Sequence, residues 1–257
     1  MNKDEARQVV WRELRNVARP DSRFHLDFSE YIPDFEGSDV ATARLTSLDI
    51  YRNANTLFIT PDNCLERLRA QVVRDDKTQI VSTYGIRRGL VELRPQDVPQ
   101  GMARYAVLLD LIEQMGRHLS LAELRERHTL DLLVTGASAV SADGIRFGKG
   151  HGFFDLEWAI LYQLGIVDQR TPIVAFVHDC QVVDIALEAS RFDTLCDFIV
   201  TPTRVIEIQD APKPAAGVIW SQLEPGMMEE IAPLQELRAL ELAGNLAPRR
   251  EKGGVMR

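Results

Sequence analysis

Between residues 146 and 155 the chain reads Arg146-Phe147-Gly148-Lys149-Gly150-His151-Gly152-Phe153-Phe154-Asp155. Glycines at alternate positions remove the Cβ atoms that would keep a ligand away from the backbone. Arg146 and Lys149 add positive charge, and the apolar-periodic segment behind them reads as a helix whose free N–H groups point back at the loop. Together these make an anion site suited to phosphate, and a nucleotide is the expected ligand. The loop is not a P-loop, because Lys149 is followed by Gly150 where Ser or Thr is required; nor is its GxGxG spacing the GxGxxG of dinucleotide binders. Asp155 falls in the first helical turn, where the helix dipole favours a carboxylate with or without a ligand.

A second set of candidates is His178, Asp179, Asp184, Asp193 and Asp197, which flank strand-like runs. Ligands of open α/β sheets gather outside the carboxyl ends of the strands, so carboxylates there are candidates to hold Mg²⁺ through one or two oxygens and water. His25, His118 and His128 fall at no zinc-ligand spacing and read as surface or capping residues. Cys180 lies two residues from His178 with no third orienting group, so no cysteine nucleophile is expected.

The elements that must position these groups follow from periodicity. Residues 3–19 read as an amphipathic helix stopped by Pro20, and a second helix is expected from a Ser38 cap to about Arg52. TLFIT at 56–60, a helix opened by Pro61-Asp62, and TQIVS at 78–82 give strand, helix, strand. Residues 84–100, rich in Gly, Pro and Arg, read as a long loop or hinge and not as a central strand. A helix over 101–116 and a shorter one capped by Ser120 precede LDLLVTG at 130–136. A glycine-rich loop then leads into FFDLEWAILYQLG, which ends at Gly165. PIVAFVHD, VVDIAL and DFIVTP supply further strands. Buried apolar strands alternating with helices predict a mostly parallel sheet covered on both sides.

At the glycine loop the chain resembles 5-formyltetrahydrofolate cyclo-ligases (methenyltetrahydrofolate synthetases), whose ATP loop has Arg, glycines at alternate positions and a terminal Tyr-Tyr-Asp. Lys3 and Arg7 are similar to that family's N-terminal Lys/Arg pair. DTLCDFIVTPTRVIE, with Asp193, Asp197 and Thr201, is similar to its third block. Within the family, GIRFGKGHGFFDLEWAI and FVHDCQVVD look most like the methenyltetrahydrofolate synthetase domain-containing branch.

The resemblance implies a three-layer α/β/α fold akin to sugar-phosphate isomerases and CoA transferases. It also implies MgATP and a reduced folate as the small-molecule substrate. The reaction would phosphorylate the formyl oxygen of 5-formyltetrahydrofolate and close the ring to 5,10-methenyltetrahydrofolate. By the same resemblance, Arg146 and Lys149 act on the phosphates as the catalytic cations. Gly148, Gly150, His151 and Gly152 form the cradle, Lys3 and Arg7 close over it, and Asp155 and Asp193 serve the metal. Residues 1–223 would be the cyclo-ligase-like domain, and 224–257 a C-terminal helix and flexible tail. The chain departs from the family at Phe153 and Phe154, which replace two tyrosines, and at Phe192, which replaces a histidine. Ile50-Tyr51-Arg52 is similar to the segment before the family's folate pocket but lacks its Pro and Glu. Two other readings stay open: an ATP-dependent enzyme of this fold acting on another amide or formyl group, for instance in thiamine metabolism, and a non-catalytic nucleotide- or RNA-binding protein.

Composition bounds these readings. The 257 residues carry a formal net charge of −8, and the three cysteines, Cys64, Cys180 and Cys196, show no CxxC spacing. That pattern suggests free thiols in a reducing compartment. The charged N-terminus is no signal peptide, and no apolar run reaches the ~18–20 residues of a membrane span, so a cytoplasmic protein without a membrane partner is expected. No RNP-type aromatic run is present, and a nucleic-acid partner is not expected. The acidity is uneven: residues 1–19 hold five cations and three acids, and residues 146–152 hold two cations and no acid. The two basic segments are therefore expected to meet at one nucleotide.

Overall fold

The apolar runs become the middle of one large sheet. In the computed structural model, which describes residues 3–184 and 187–246, α1 (Lys3–Leu14) buries Ala6, Val10 and Leu14 along a single stripe, as an amphipathic helix must. α2 (Ser38–Thr46) and α3 (Asp49–Arg52) replace the single helix expected there, because Leu48 between them is extended. Ser38 is also not the cap: Gly37, with a φ of 78°, turns the chain into α2. A Cβ on Gly37 would come within 3.0 Å of Pro202.

β1 (Thr56–Ile59), α4 (Glu66–Arg74) and β2 (Thr78–Ser82) form the expected strand–helix–strand unit. The hinge expected over 84–100 instead contains β3 (Leu90–Leu93), all four residues of which are buried. Its flanking Gly, Pro and Arg hid a strand whose two faces are both covered: Leu90 joins the main core, Val91 and Leu93 a satellite core. Glu92 meets His128 Nε2 at 2.7 Å. His128, expected at the surface or a cap, does end a helix, but its ring is half-buried.

The helix expected over 101–116 is broken into α5 (Ala103–Ala106) and α6 (Leu109–Met115). β4 (Arg117–Leu119) follows, and Ser120 caps α7 (Leu121–Arg127) through a reciprocal bond with Glu123, a capping box. After β5 (Leu132–Thr135), part of the expected glycine-rich loop is a hairpin, β6 (Ala139–Ser141) and β7 (Arg146–Phe147). Too short to show alternation, these strands were unreadable as strands. α8 (Phe153–Gln163) and β8 (Ile173–Phe176) come next. The VVDIAL run yields only β9 (Val182–Val183), and Ile185 and Ala186 lie outside the described residues. β10 (Phe198–Val200), β11 (Val205–Glu207), α9 (Met227–Glu230) and α10 (Ala232–Leu242) complete the chain. The tail expected beyond them, from residue 247, lies outside the described residues.

The large sheet has the order β11-β10-β8-β5-β1-β2-β3-β4. Its five central strands, from β10 to β2, are parallel, and antiparallel strands form both edges. Alternating residues serve opposite cores, as the pleat requires. Phe58, Leu133 and Ala175 pack with Leu124 of α7, Trp158 of α8 and Leu237 of α10 on one face. Leu57, Val134 and Val174 pack with Leu45 of α2 and Leu68 of α4 on the other. This is the expected three-layer α/β/α arrangement. The small sheet β7-β6-β9 stands apart, and α1 seats Ala6 and Val10 against its Ala139 and Phe147. That packing carries the N-terminal cations to the glycine loop. Among the described residues no helix is long and apolar enough to cross a membrane.

Candidate active site

Strand order reverses around β1: β2 lies on one side and β5 on the other, which makes the carboxyl ends of these strands a natural crevice. A cavity of about 240 Å³ opens there. Lys3, Arg7, Arg146, Lys149, His151, Asp155 and Asp193 all line it, with Gly148, Gly150 and Gly152. The structure thus gathers every residue singled out at the loop and the N-terminus. The remaining acidic candidates disperse. Asp179 accepts bonds from the Thr201 and Thr203 hydroxyls, Asp197 pairs with Lys213 at 2.8 Å, and Asp184 does not line the cavity. Their expected gathering into a carboxylate cluster is not seen, because separate strand ends hold them. Among the described residues, no group of three or more His, Cys, Asp or Glu side chains is placed to hold a metal ion.

The loop is fixed from both sides. Gly152, with a φ of 64°, is the N-cap of α8. It turns the loop so that the helix N-terminus faces the cavity. Arg7 is buried, not on the polar face of α1. Its Nε donates to the Gly148 carbonyl at 2.7 Å and its guanidinium stands 5.2 Å from the Phe147 ring centre. Arg146 is 4% exposed, pairs with Asp155 and lies 4.3 Å over the Phe154 ring, while its Nε has no hydrogen-bond partner among the described residues. Asp155 also accepts the Thr194 N–H at 2.9 Å, and Lys3 pairs with Asp193 at 2.6 Å. A Cβ built on Gly148 or Gly152 would meet nothing within 4 Å. The glycine backbone therefore faces open space.

Sequence reasoning missed the segment that covers this loop. Lys149 Nζ donates to the Glu30 carbonyl at 2.8 Å, and the Tyr84 hydroxyl donates to the same oxygen at 2.8 Å. Phe24 stacks on Tyr31 with ring centres 4.8 Å apart and lies 6.0 Å from Tyr84. Residues 24–31 thus form an aromatic strap along one wall. Burial there pulls the Lys149 ammonium below its usual range, against the opposing pull of Asp62, Glu30 and Glu157.

The floor was missed as well, although each of its strand-end residues closes an apolar run: Thr60-Pro-Asp62, Ser82-Thr83 and Thr135-Gly136. Asp62 accepts from the Thr60 hydroxyl at 2.5 Å and from the Gly136 N–H at 3.0 Å. Beneath it, the fully buried Arg69 donates to the carbonyls of Thr60 and Asp62 at 2.8 and 3.0 Å. Glu157 of α8 completes the floor at 4% exposure. Burial, aided by the Asp62 and Asp155 charges, pushes its carboxyl up to about 8 against the weaker opposing effects of Ser82 and Arg146.

This shift predicts a pH dependence of stability. The unfolded chain releases the Glu157 proton near 4.5, whereas the native protein keeps it up to about 8. Between these values the native state binds more protons, so stability falls as pH rises, by up to about 1.4 kcal/mol per pH unit from this group. Denaturant unfolding at pH 5.5 and 7.5 should show the fall, and Glu157→Gln should flatten it.

The expected contribution of two other residues is corrected. Phe153 and Phe154 do line the cavity, but Phe192 does not, its ring lying under Arg191. Tyr51 is buried away from the cavity and its hydroxyl donates to Asp75 at 2.7 Å. Cys180 Sγ lies 3.2 Å from His178 Nδ1, yet burial pushes the thiol up to about 11. That leaves it protonated near neutral pH.

Residues 1–202 match the 5-formyltetrahydrofolate cyclo-ligase family. The chain belongs to that family. It is 36% identical over 245 residues to a human methenyltetrahydrofolate synthase domain-containing protein, covering 94% of this chain and 62% of the human one. The zebrafish protein of the same name, from Danio rerio, is 34% identical over 243 residues, with 92% of this chain and 62% of its own length covered. The chain thus spans less than two thirds of these relatives. Among solved structures, that of Aquifex aeolicus 5,10-methenyltetrahydrofolate synthetase superposes with a TM-score of 0.51 over 83% of this chain and 96% of that one. At 18% identity it shows a shared fold.

Proposed function

We propose that the cavity is the active site of an ATP-dependent cyclo-ligase acting on an N-formyl reduced folate. The observation that carries this reading is the open glycine backbone between Arg146 and Lys149, set at a helix N-terminus in a chain of this family. A phosphate suits that space on the chemistry beside it: the N-terminus of α8 starts at Gly152, and the buried Arg146 Nε has no hydrogen-bond partner among the described residues. Arg146 and Lys149 would hold the transferring phosphoryl group, with Lys3 and Arg7 on the phosphates behind it. Asp155 and Asp193 would contribute one or two oxygens to Mg²⁺ that is otherwise held by phosphate and water, the usual mode for this ion. When bound, Mg²⁺ supplies charge neutralisation on the phosphates.

Phosphoryl transfer depends on positioning and charge stabilisation more than on covalent chemistry by the protein. In the proposed reaction the formyl oxygen attacks the γ-phosphorus and ADP leaves. N10 of the folate then attacks the activated formyl carbon and gives up its proton. Phosphate departs with the former formyl oxygen, leaving the 5,10-methenyl bridge. The strap of Phe24, Tyr31 and Tyr84 excludes water from the phosphorylated intermediate. Lys149, now bonded to the Glu30 carbonyl, exchanges that oxygen for a phosphate oxygen, so nucleotide binding and strap position are linked. Cys64, Cys180 and Cys196 are free thiols, which suits the cytoplasmic setting we infer.

The test is direct. The protein with MgATP and 5-formyltetrahydrofolate should produce the methenyl absorbance, and none at enzyme equal to substrate would sink the folate reading. A second reading, a different amide or formyl substrate, is favoured by Phe153 and Phe154, which present no hydroxyls to the cavity they line. ATP binding by calorimetry without folate turnover would select it.

A further inference from the structure

The polar side chains at the ends of β1 and β5 present acceptors to the cavity and keep their donors for the protein. The Thr60 hydroxyl donates to Asp62 Oδ2 at 2.5 Å, and the Gly136 N–H donates to the same oxygen at 3.0 Å. The Thr135 hydroxyl donates to the Gly136 carbonyl at 3.0 Å. Thr60, Asp62, Thr135 and Gly136 all line the cavity, so the wall they form there has no side-chain proton left to give. Asp62 Oδ1 is what remains. It has no hydrogen-bond or ion-pair partner among the described residues and is not sealed from solvent, so it opens to the cavity. Its position is set in advance, because Arg69 fixes the Thr60 and Asp62 carbonyls from beneath.

Resting on the cyclo-ligase reading, we propose that Asp62 is the specificity-determining residue for the second substrate, its Oδ1 accepting the amino group and the adjacent ring N–H of a flat heterocycle. A carboxylate has about four acceptor sites. Thr60 and Gly136 occupy the two on Oδ2, which leaves the two on Oδ1 for a pair of converging N–H groups. Phosphate oxygens are acceptors themselves and gain nothing from such a wall. They belong instead with Lys3, Arg7, Arg146 and Lys149, the lining Lys and Arg side chains, which all come from α1, β7 and the glycine loop. The nucleotide phosphates and the second substrate are thereby sorted by hydrogen-bond polarity. The pyrimidine ring of a reduced folate carries an amino group beside a ring N–H, and so supplies the donors that this wall lacks. Phe24 and Tyr31, stacked on each other and lining the same cavity, offer aromatic surface to a flat ring. An analogue without the amino group leaves Asp62 short of a partner, which is how a site built for hydrogen bonds discriminates.

The test measures calorimetric binding of three ligands, with Mg²⁺ present, to the wild type and to Asp62→Asn. The ligands are 5-formyltetrahydrofolate, its analogue with hydrogen in place of the ring amino group, and a non-hydrolysable ATP analogue. Asparagine keeps one oxygen for Thr60 and Gly136 and exchanges the cavity-facing acceptor for a donor. The wild type should prefer the folate to its desamino analogue by about tenfold or more. Asp62→Asn should bind the folate about tenfold or more weakly, lose the preference, and hold the nucleotide within about twofold of the wild type. A variant that keeps the preference overturns the assignment. So does one that loses nucleotide affinity as much as folate affinity, which would put the carboxylate on the metal–nucleotide complex. Should Asp62→Asn not fold, the wild type decides with the two folates, equal affinities overturning the proposal. A wild type that binds nucleotide but neither folate overturns the cyclo-ligase reading itself, and that outcome is seen before any substitution is made.

Discussion

Arg146→Met is expected to lower turnover by ~10²–10³-fold, the size seen when one preorganised charge-stabilising donor is removed, and to destabilise the protein by about 3–5 kcal/mol. Both effects have one origin. Arg146 is 4% exposed and its partner Asp155 is 19% exposed, so the pair is largely withdrawn from water. Deleting the cation leaves a largely buried carboxylate whose remaining hydrogen bond among the described residues is from the Thr194 N–H. The thioether keeps contact with the Phe154 ring but not the cation–π attraction. Arg146→Lys separates the two effects: it restores a charge near Asp155 and should recover most of the stability. A single ammonium cannot reproduce the guanidinium fork, so turnover should stay low. Steady-state kinetics and denaturant unfolding of both variants check this. Full turnover in Arg146→Met would remove Arg146 from the proposed chemistry.

Legibility in the sequence followed the range of the forces involved. The central strands were readable because both faces of a parallel sheet are buried, which leaves continuous apolar runs such as Leu132–Thr135 and Ile173–Phe176. β3 was not readable, because its burial depends on α5 and α6 arriving later in the chain. The glycine loop and its cations were legible because their chemistry is written in adjacent residues. Asp62, Thr83 and Glu157 were not, since each is an ordinary residue until the reversal of strand order around β1 sets them round one cavity. The strap is a stronger case. Glu30 acts through its backbone carbonyl, a group that every residue has and no sequence pattern can single out.

Gly148→Ala is expected to leave stability within about 0.5 kcal/mol and to weaken nucleotide binding by about two orders of magnitude. The separation follows from what surrounds this glycine. An added Cβ meets no atom within 4 Å and the backbone is not left-handed there, so neither a clash nor strain opposes the methyl in the free protein. That same open space is where the phosphates are proposed to approach the backbone N–H groups. A methyl group would hold them off by about its own radius, and hydrogen bonds weaken steeply with distance and misalignment. Gly152→Ala is the contrasting case. Its φ of 64° lies in the left-handed region, so alanine there should lower stability by about 1–2 kcal/mol even without ligand. Thermal unfolding with and without the ATP analogue distinguishes them. Gly148→Ala should match the wild type alone and lose the ligand-induced rise in melting temperature, whereas Gly152→Ala should melt lower in both conditions. A Gly148→Ala protein that keeps the full rise would place the phosphates elsewhere in the cavity.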